Sequence, residues 1–182
     1  LDRHGRTVAA WVGGKDTTPL TFSHDGTRLL LSRAGNGGSD LLAYDLESGA
    51  VRLLLRNEAD LGLVHLSPDD SQLLFASAQG VTDTDPEPDQ ARRRRALRER
   101  VPDYTPAPHL HLMDLASGTR TRLTAPGDWI LDDAAFVPGR DAVVYARTLP
   151  IDRRPWFSTE LRVVDLSTGA DTLVTTFVAG WE

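Results

Sequence analysis

An all-β fold of repeated four-stranded antiparallel units is predicted by two recurring signatures and by their spacing. The first signature is an apolar residue, a tight turn and a run of four to five mostly apolar residues. It reads Phe22-Ser23-His24-Asp25-Gly26-Thr27-Arg28-Leu29-Leu30-Leu31-Ser32, then Leu66-Ser67-Pro68-Asp69-Asp70-Ser71-Gln72-Leu73-Leu74-Phe75-Ala76, then Phe136-Val137-Pro138-Gly139-Arg140-Asp141-Ala142-Val143-Val144-Tyr145-Ala146. The second follows each copy: Tyr44-Asp45-Leu46-Glu47-Ser48-Gly49, Met113-Asp114-Leu115-Ala116-Ser117-Gly118 and Val164-Asp165-Leu166-Ser167-Thr168-Gly169. The first two turns lie 44 residues apart, about the length of one four-stranded propeller blade.

Local chemistry supports each element in turn. Proline at the second turn position has its φ preset, aspartate favours turns and glycine accepts positive φ. Ser67-Pro68-Asp69-Asp70 therefore closes a hairpin in which Asp70 tolerates the conformation that Gly26 adopts more easily. Each Asp-Leu-x-Ser/Thr-Gly piece closes a second hairpin, its glycine in the left-handed region. The flanking runs are short and rich in β-prone residues. Strands are expected near 19–22, 28–32, 41–45 and 50–54 in the first unit. In the second they are expected near 63–66, 72–77, 109–114 and 121–124, and in the third near 133–137, 142–147, 160–165 and 172–176. Residues 6–12 read as a leading strand of a preceding unit.

The resulting fold class is all-β: a partial β-propeller of about three four-stranded antiparallel blades, with one short helix in an insertion. The blades span about 17–58, 61–125 and 130–178. A β-sandwich also uses many short strands, but it does not require one pair of hairpins repeated three times in the same order. A ring needs roughly 4 to 8 blades, and each blade buries its faces only against neighbours. Three blades therefore call for further blades from outside this sequence or from another chain. The chain opens on Leu1 and closes on Glu182, and both ends read as cut, so a fragment of a longer protein is expected.

The second and third turns are 70 residues apart, which places an insertion at 78–108. Its acidic stretch Asp83-Thr84-Asp85-Pro86-Glu87-Pro88-Asp89 fails as a calcium loop. Loop positions six and twelve hold Pro88 and Arg94 where Gly and Glu are needed. Asp89 can cap a helix over 90–100 that Pro102 ends. Arg92, Arg93, Arg94, Arg95, Arg98 and Arg100 fill its body and end, as the helix dipole favours. This segment reads as a solvated helix along acidic blade edges, with a basic arm for an acidic surface, carboxylate or phosphate as the alternative. A shorter insertion falls near 149–159.

Composition excludes several functions. With 40% hydrophobic and 25% charged residues, the 182-residue chain suits a globular protein rather than a disordered tail. Zero cysteines exclude a disulfide scaffold, a thiolate zinc site and a cysteine nucleophile. A net charge of -6 argues against nucleic acid as a partner. No apolar run approaches the roughly 20 residues that cross a bilayer, so no membrane partner is expected. No basic segment leads into an apolar core near the start. A cytoplasmic location is the expectation, and a periplasmic one if the start is truncated.

Candidate chemistry is sparse. His109 and His111 lie two apart on an expected strand and so face one side, but a metal site needs further ligands. His4, His24 and His65 fall elsewhere in the repeat, and no metal or cofactor is expected. No G-x-S-x-G nucleophile elbow occurs. Ser23 and Ser67 sit in turns, where a hydroxyl stabilises local backbone. Asp45, Asp114 and Asp165 recur at one repeat position, as turn residues do. Asp132 and Asp133 are adjacent on an expected strand and would point to opposite faces. Gly13-Gly14 and Gly35-Asn36-Gly37-Gly38 lack the flanking pattern of a nucleotide loop. No catalytic residue is assigned to this chain, and its substrate-binding residues are not fixed by the sequence.

The turns "FSHDGTRLLLS" and "LSPDDSQLLFAS", paired with "YDLESGAVRLL", "MDLASGTRTRLT" and "VDLSTGADTLV", resemble the WD40-like repeats of bacterial propellers. The third copy departs at Val137-Pro138-Gly139, and the Gly-His and Trp-Asp marks of true WD40 blades are missing. Such repeats occur in the N-terminal propeller of prolyl-oligopeptidase-family serine peptidases, in the acylaminoacyl-peptidase and dipeptidyl-peptidase branch. They also occur in the periplasmic propeller of the Tol system. The long insertion favours the peptidase. That resemblance implies an α/β-hydrolase domain outside this chain that supplies Ser, Asp and His, with the propeller gating access of short peptides. The Glu-Glu pair of dipeptidyl peptidases has no match here. The alternative is a non-enzymatic scaffold that binds a protein partner. Expected partners are a short peptide substrate, the remaining blades and the hydrolase domain, with homo-oligomerisation open.

Overall fold

The structure, a computed structural model, describes residues 16–78, 108–125, 130–148 and 158–178. The first sheet consists of β1 (Thr17–Phe22), β2 (Arg28–Gly35), β3 (Gly38–Asp45) and β4 (Val51–Glu58). The second consists of β5 (Gly62–Leu66), β6 (Gln72–Ser77), β7 (His109–Asp114) and β8 (Arg120–Arg122), and the third of β9 (Ile130–Phe136), β10 (Ala142–Thr148), β11 (Ser158–Asp165) and β12 (Asp171–Val178). Within each sheet the strands pair in chain order and antiparallel. Each expected strand has its counterpart among these twelve. The expected helix at 90–100 and the leading strand at 6–12 lie outside the described residues, as does most of both insertions. Among the described residues no helix is long and apolar enough to cross a membrane.

Side-chain circuits in the turns set the strand ends. Asp25 Oδ1 accepts hydrogen bonds from the Ser23 hydroxyl (2.6 Å), the Thr27 hydroxyl (2.8 Å) and the Thr27 N–H (2.9 Å). Ser23 Oγ in turn accepts the Arg28 N–H at 2.9 Å. The second copy repeats the circuit through Asp69, Ser67, Ser71 and the Gln72 N–H. In the outer hairpins, Asp45, Asp114 and Asp165 each accept from the backbone N–H three residues on, at 2.7, 2.6 and 2.8 Å. The glycine that follows has φ +72 in all three, a region most side chains avoid. The recurring serines and aspartates are thus consumed by turn geometry, as the sequence suggests.

The third inner turn is built differently. Its closing hydrogen bond runs from the Arg140 N–H to the Val137 carbonyl, with Gly139 at φ +71. Proline followed by a left-handed glycine makes a turn that needs no Ser-x-Asp circuit. Asp70, by contrast, takes φ +56 at the place where the first copy has Gly26. One expectation needs correction. A bulge in β9 between the residues paired to Ala146 and Arg147 interrupts the alternation. Leu131 and Ala134 both turn inward, and Asp132 and Asp133 are both exposed.

The core lies between sheets. Alternation sends Leu30, Leu41 and Ala43 of the first blade toward Leu73, Phe75 and Met113 of the second, joined by Leu55, Val64, Leu66 and Leu115. The opposite face of the second blade presents Leu74, Ala76 and Leu110 to Leu131, Ala134, Val143, Tyr145 and Val164 of the third. Leu73, Leu74, Phe75 and Leu110 are completely buried, so the middle blade has a core on both faces. Burial pushes the Tyr145 hydroxyl above its ordinary pKa, and the hydroxyl donates to Asp171 at 2.8 Å.

Phe75→Ala is expected to cost about 3–5 kcal/mol of unfolding free energy, because it opens a cavity within a seam. Phe22→Ala, at a residue 58% exposed, is expected to stay within about 0.5 kcal/mol. Urea unfolding measures both, and similar costs would contradict a core placed between sheets.

Candidate functional site at the inner ends of the blades

β1, β5 and β9 are the edge strands that face one another: β1 contacts β5, and β5 contacts β9. They are therefore the inner strands of the arc. Their C-terminal residues and the turns that follow enclose a pocket of about 310 Å³, to which all three blades contribute. Phe22, Leu66 and Phe136 give its apolar wall, Pro68 and Pro138 its turn edges, and His24 and His65 its imidazoles. A second recess, of about 240 Å³, lies within the seam between the first two blades, lined by Leu30, Ala43, Leu54, Leu66 and Leu115. Arg52 at its edge is held by the Leu115 carbonyl at 3.1 Å.

Asp70 ties the mouth together. Its carboxylate accepts the His24 N–H (2.9 Å) and the Asp25 N–H (3.1 Å), and its Oδ1 lies 3.1 Å from His24 Nδ1. Burial would raise the Asp70 pKa, but the bonds from His24 and Asp25 outweigh it and hold the carboxyl below its usual range. This clamp joins the inner turns of two blades. The sequence carries one hint of it: an aspartate at a turn position where the first copy has glycine.

The turns that join the first strand to the second and the third to the fourth lie at this same end in all three blades, whereas the β2–β3 turn at Gly35–Gly38 lies at the other. The Leu46, Leu115 and Leu166 N–H groups bond to the Thr27, Ser71 and Asp141 carbonyls of the inner turns. Hydrogen bonds from Ser23, Ser67 and Ser167 are the largest influence in lowering the Asp25, Asp69 and Asp165 carboxyls to about 2. The end that carries the mouth is accordingly rimmed with ionised carboxylates.

The histidine pair singled out in the sequence lies elsewhere, inside the first seam. His109 and His111 are both buried on the face of β7 turned toward the first blade. The His111 ring stacks on Phe75 with centroids 5.4 Å apart, and the Arg120 guanidinium lies 4.8 Å from the Phe75 centroid on its ring face. Buried Glu58 accepts from Arg120 Nη1 at 2.9 Å and from the Ser77 hydroxyl at 2.5 Å. His109 Nδ1 is 3.4 Å from Thr124 Oγ1. Among the described residues no group of three or more His, Asp or Glu side chains is placed to hold a metal. The cluster is a polar seam that fixes blade register, with Glu58, Ser77 and Arg120 as members that sequence reasoning did not find.

Burial, with help from the positive charge of Arg120, lowers the His111 pKa to about 3. The Ser77 backbone opposes this weakly.

No protein-family model matches the chain, and neither does any curated protein sequence. Solved structures do match. The chain is similar to a putative TolB from Agrobacterium tumefaciens, with TM-score 0.59 and 15% identity over 89% of this chain and 50% of that one. It is similar to a prolyl endopeptidase, with TM-score 0.57 and 19% identity over 87% of this chain and 22% of that one. It is also similar to the β-propeller domain of the Trilobed protease from Pyrococcus furiosus, with TM-score 0.51 and 13% identity over 88% of this chain and 41% of that one. The fold is that of a β-propeller. The chain spans half or less of each of these structures, and identities this low speak for fold alone.

The neutral His111 makes a pH prediction. The unfolded chain binds a proton at His111 below its ordinary pKa of 6.5, whereas the folded chain does so only near 3. Stability therefore falls as pH drops below 6.5, because the unfolded state holds more protons there. Between pH 6.5 and 4, His111→Phe is expected to flatten the decline of the urea midpoint. The same slope in both proteins would contradict a buried neutral imidazole.

Proposed function

We propose that the chain is a non-catalytic propeller part of a serine peptidase, gating access of short peptides to a hydrolase domain outside this sequence. The observation that carries this reading is the pocket shared by the inner ends of three blades. Its 310 Å³ suits one or two side chains of an extended segment rather than a folded protein. Its polar groups are two imidazoles and the Thr21 hydroxyl, and that hydroxyl donates to the Phe22 carbonyl at 3.3 Å. The recurring turn serines serve backbone. Similarity to propellers of a prolyl endopeptidase and of the Trilobed protease supports the assignment at the level of fold. A cytoplasmic location belongs to this reading.

A second reading is a propeller scaffold that binds a protein partner without chemistry, in the periplasm. It is favoured by the likeness to the putative TolB and by Phe22, which stands 58% exposed at the mouth. Labelling of the full-length protein with a serine-reactive fluorophosphonate separates the two. The peptidase reading expects labelling together with cleavage of acyl-alanyl chromogenic peptides but not of a folded protein. A well-folded, full-length protein that takes no label overturns it.

The third blade supports a further part of this proposal. Leu41, Leu110 and Leu161 occupy one repeat position, four residues before Asp45, Asp114 and Asp165. Leu41 and Leu110 are fully buried in the two seams, and Leu161 is half-buried on the outward face of the third blade. A further blade packed against that face would complete its burial. In the full-length protein, Leu161→Ala is then expected to cost about 2–5 kcal/mol, as Leu110→Ala does. A cost under about 1 kcal/mol would show that no sheet covers it.

A further inference from the structure

We propose that the mouth of this propeller is selective for cationic segments: it takes an extended peptide in which an apolar or aromatic side chain is flanked by arginine or lysine. The inference rests on the reading of the mouth as a peptide site and adds the chemistry of what enters. Three features carry it.

Part of the pocket wall is apolar, with Phe22, Leu66 and Phe136 lining a volume of about 310 Å³ beside His24, His65 and Thr21. Such a wall rewards an inserted apolar side chain and leaves the charged flanks of the segment at the rim. The rim is acidic by construction. Every Ser-x-Asp and Asp-Leu-x-Ser/Thr-Gly turn among the described residues opens at this end, and each carries a carboxylate. Asp25 and Asp69 stand in the inner turns, with Asp45, Asp114 and Asp165 outside them. The arginines of these turns and the residues directly after them are Arg28, Arg120 and Arg140, and Arg120 is paired with Glu58 inside the seam. Arg28 Nη2 is already 3.9 Å from Asp25. Hydrogen bonds lock the Asp25, Asp69 and Asp165 carboxylates into the charged form, so the negative field persists to low pH. The third feature is the exposed ring of Phe22, 58% accessible and three residues before Asp25 in sequence. A guanidinium or ammonium group can lie over that ring while pairing with the rim carboxylates. An anionic segment is repelled by the same negative field.

Three fluorescently labelled hexapeptides test this against the full-length protein by anisotropy: Arg-Arg-Phe-Leu-Arg-Arg, Ser-Ser-Phe-Leu-Ser-Ser and Glu-Glu-Phe-Leu-Glu-Glu. The basic peptide is expected to bind at least ten-fold tighter than the neutral one at 50 mM salt, the advantage shrinking several-fold at 300 mM, with the acidic peptide weakest. Phe22→Ala, a substitution at an exposed residue, is expected to weaken the basic peptide about ten-fold at unchanged melting temperature. Asp25→Asn, whose side-chain oxygen still accepts the turn hydrogen bonds, is expected to narrow the basic-to-neutral ratio. Equal binding of the basic and neutral peptides, both lost in Phe22→Ala, overturns the charge selectivity and leaves the mouth as a peptide site. Basic-peptide binding that ignores Phe22→Ala overturns both, because the cation is then held elsewhere on the acidic end. So does a failure of all three peptides to bind.

Discussion

The structure depends on one packing constraint: each four-stranded sheet is apolar on both faces and has no interior of its own. Strict alternation along a strand sends neighbouring residues to opposite sides. In β6, Leu73 and Phe75 go one way and Leu74 and Ala76 the other, and all four are buried. A sheet of this kind is stable only between two others. The arrangement of blades follows from that demand, and the turns decide where each strand begins and ends. The mouth is a by-product of the same geometry, since wedges that meet face to face bring their inner strand ends together.

Polar contacts then set register where apolar packing leaves it loose. Asp70 locks the inner turns of the first two blades at one end of the seam. At the level of β4 and β8, the Glu58–Arg120 pair with Ser77 does the same. A buried ion pair is a poor source of net stability, but removing one partner strands the other. Its position between sheets, rather than within one, suits a device that selects a single alignment of blades. His111 belongs to this arrangement: it stacks on the Phe75 ring that Arg120 also covers, and it stays neutral because charge there is costly.

Much of the fold is legible in the sequence because the repeat writes it three times. The turn glycines, the recurring aspartates and the short apolar runs are local signals, and all twelve strands follow from them. What stays hidden is what depends on distant residues meeting. The mouth needs Phe22, His65 and Phe136, which no spacing rule links. The seam cluster needs Glu58 and Arg120, 62 residues apart, and each reads in sequence as an ordinary surface charge. The bulge in β9 is invisible for another reason: two adjacent aspartates satisfy a strand pattern as readily as a bulge. The third inner turn shows the limit of motif matching, since Pro138-Gly139 reaches a similar hairpin by a different backbone route.

The account stands or falls on the three sheets being successive wedges of an arc. The absence of cysteines allows pairs of spin labels to be placed at the outer turns, at Ser48, Ser117 and Thr168, and their separations measured by pulsed electron resonance. The account predicts similar distances for the 48–117 and 117–168 pairs. It predicts a longer one for 48–168, shorter than the two combined because the blades curve. A 48–168 distance equal to or below the other two would mean that the first and third sheets pack on each other, which contradicts the arc.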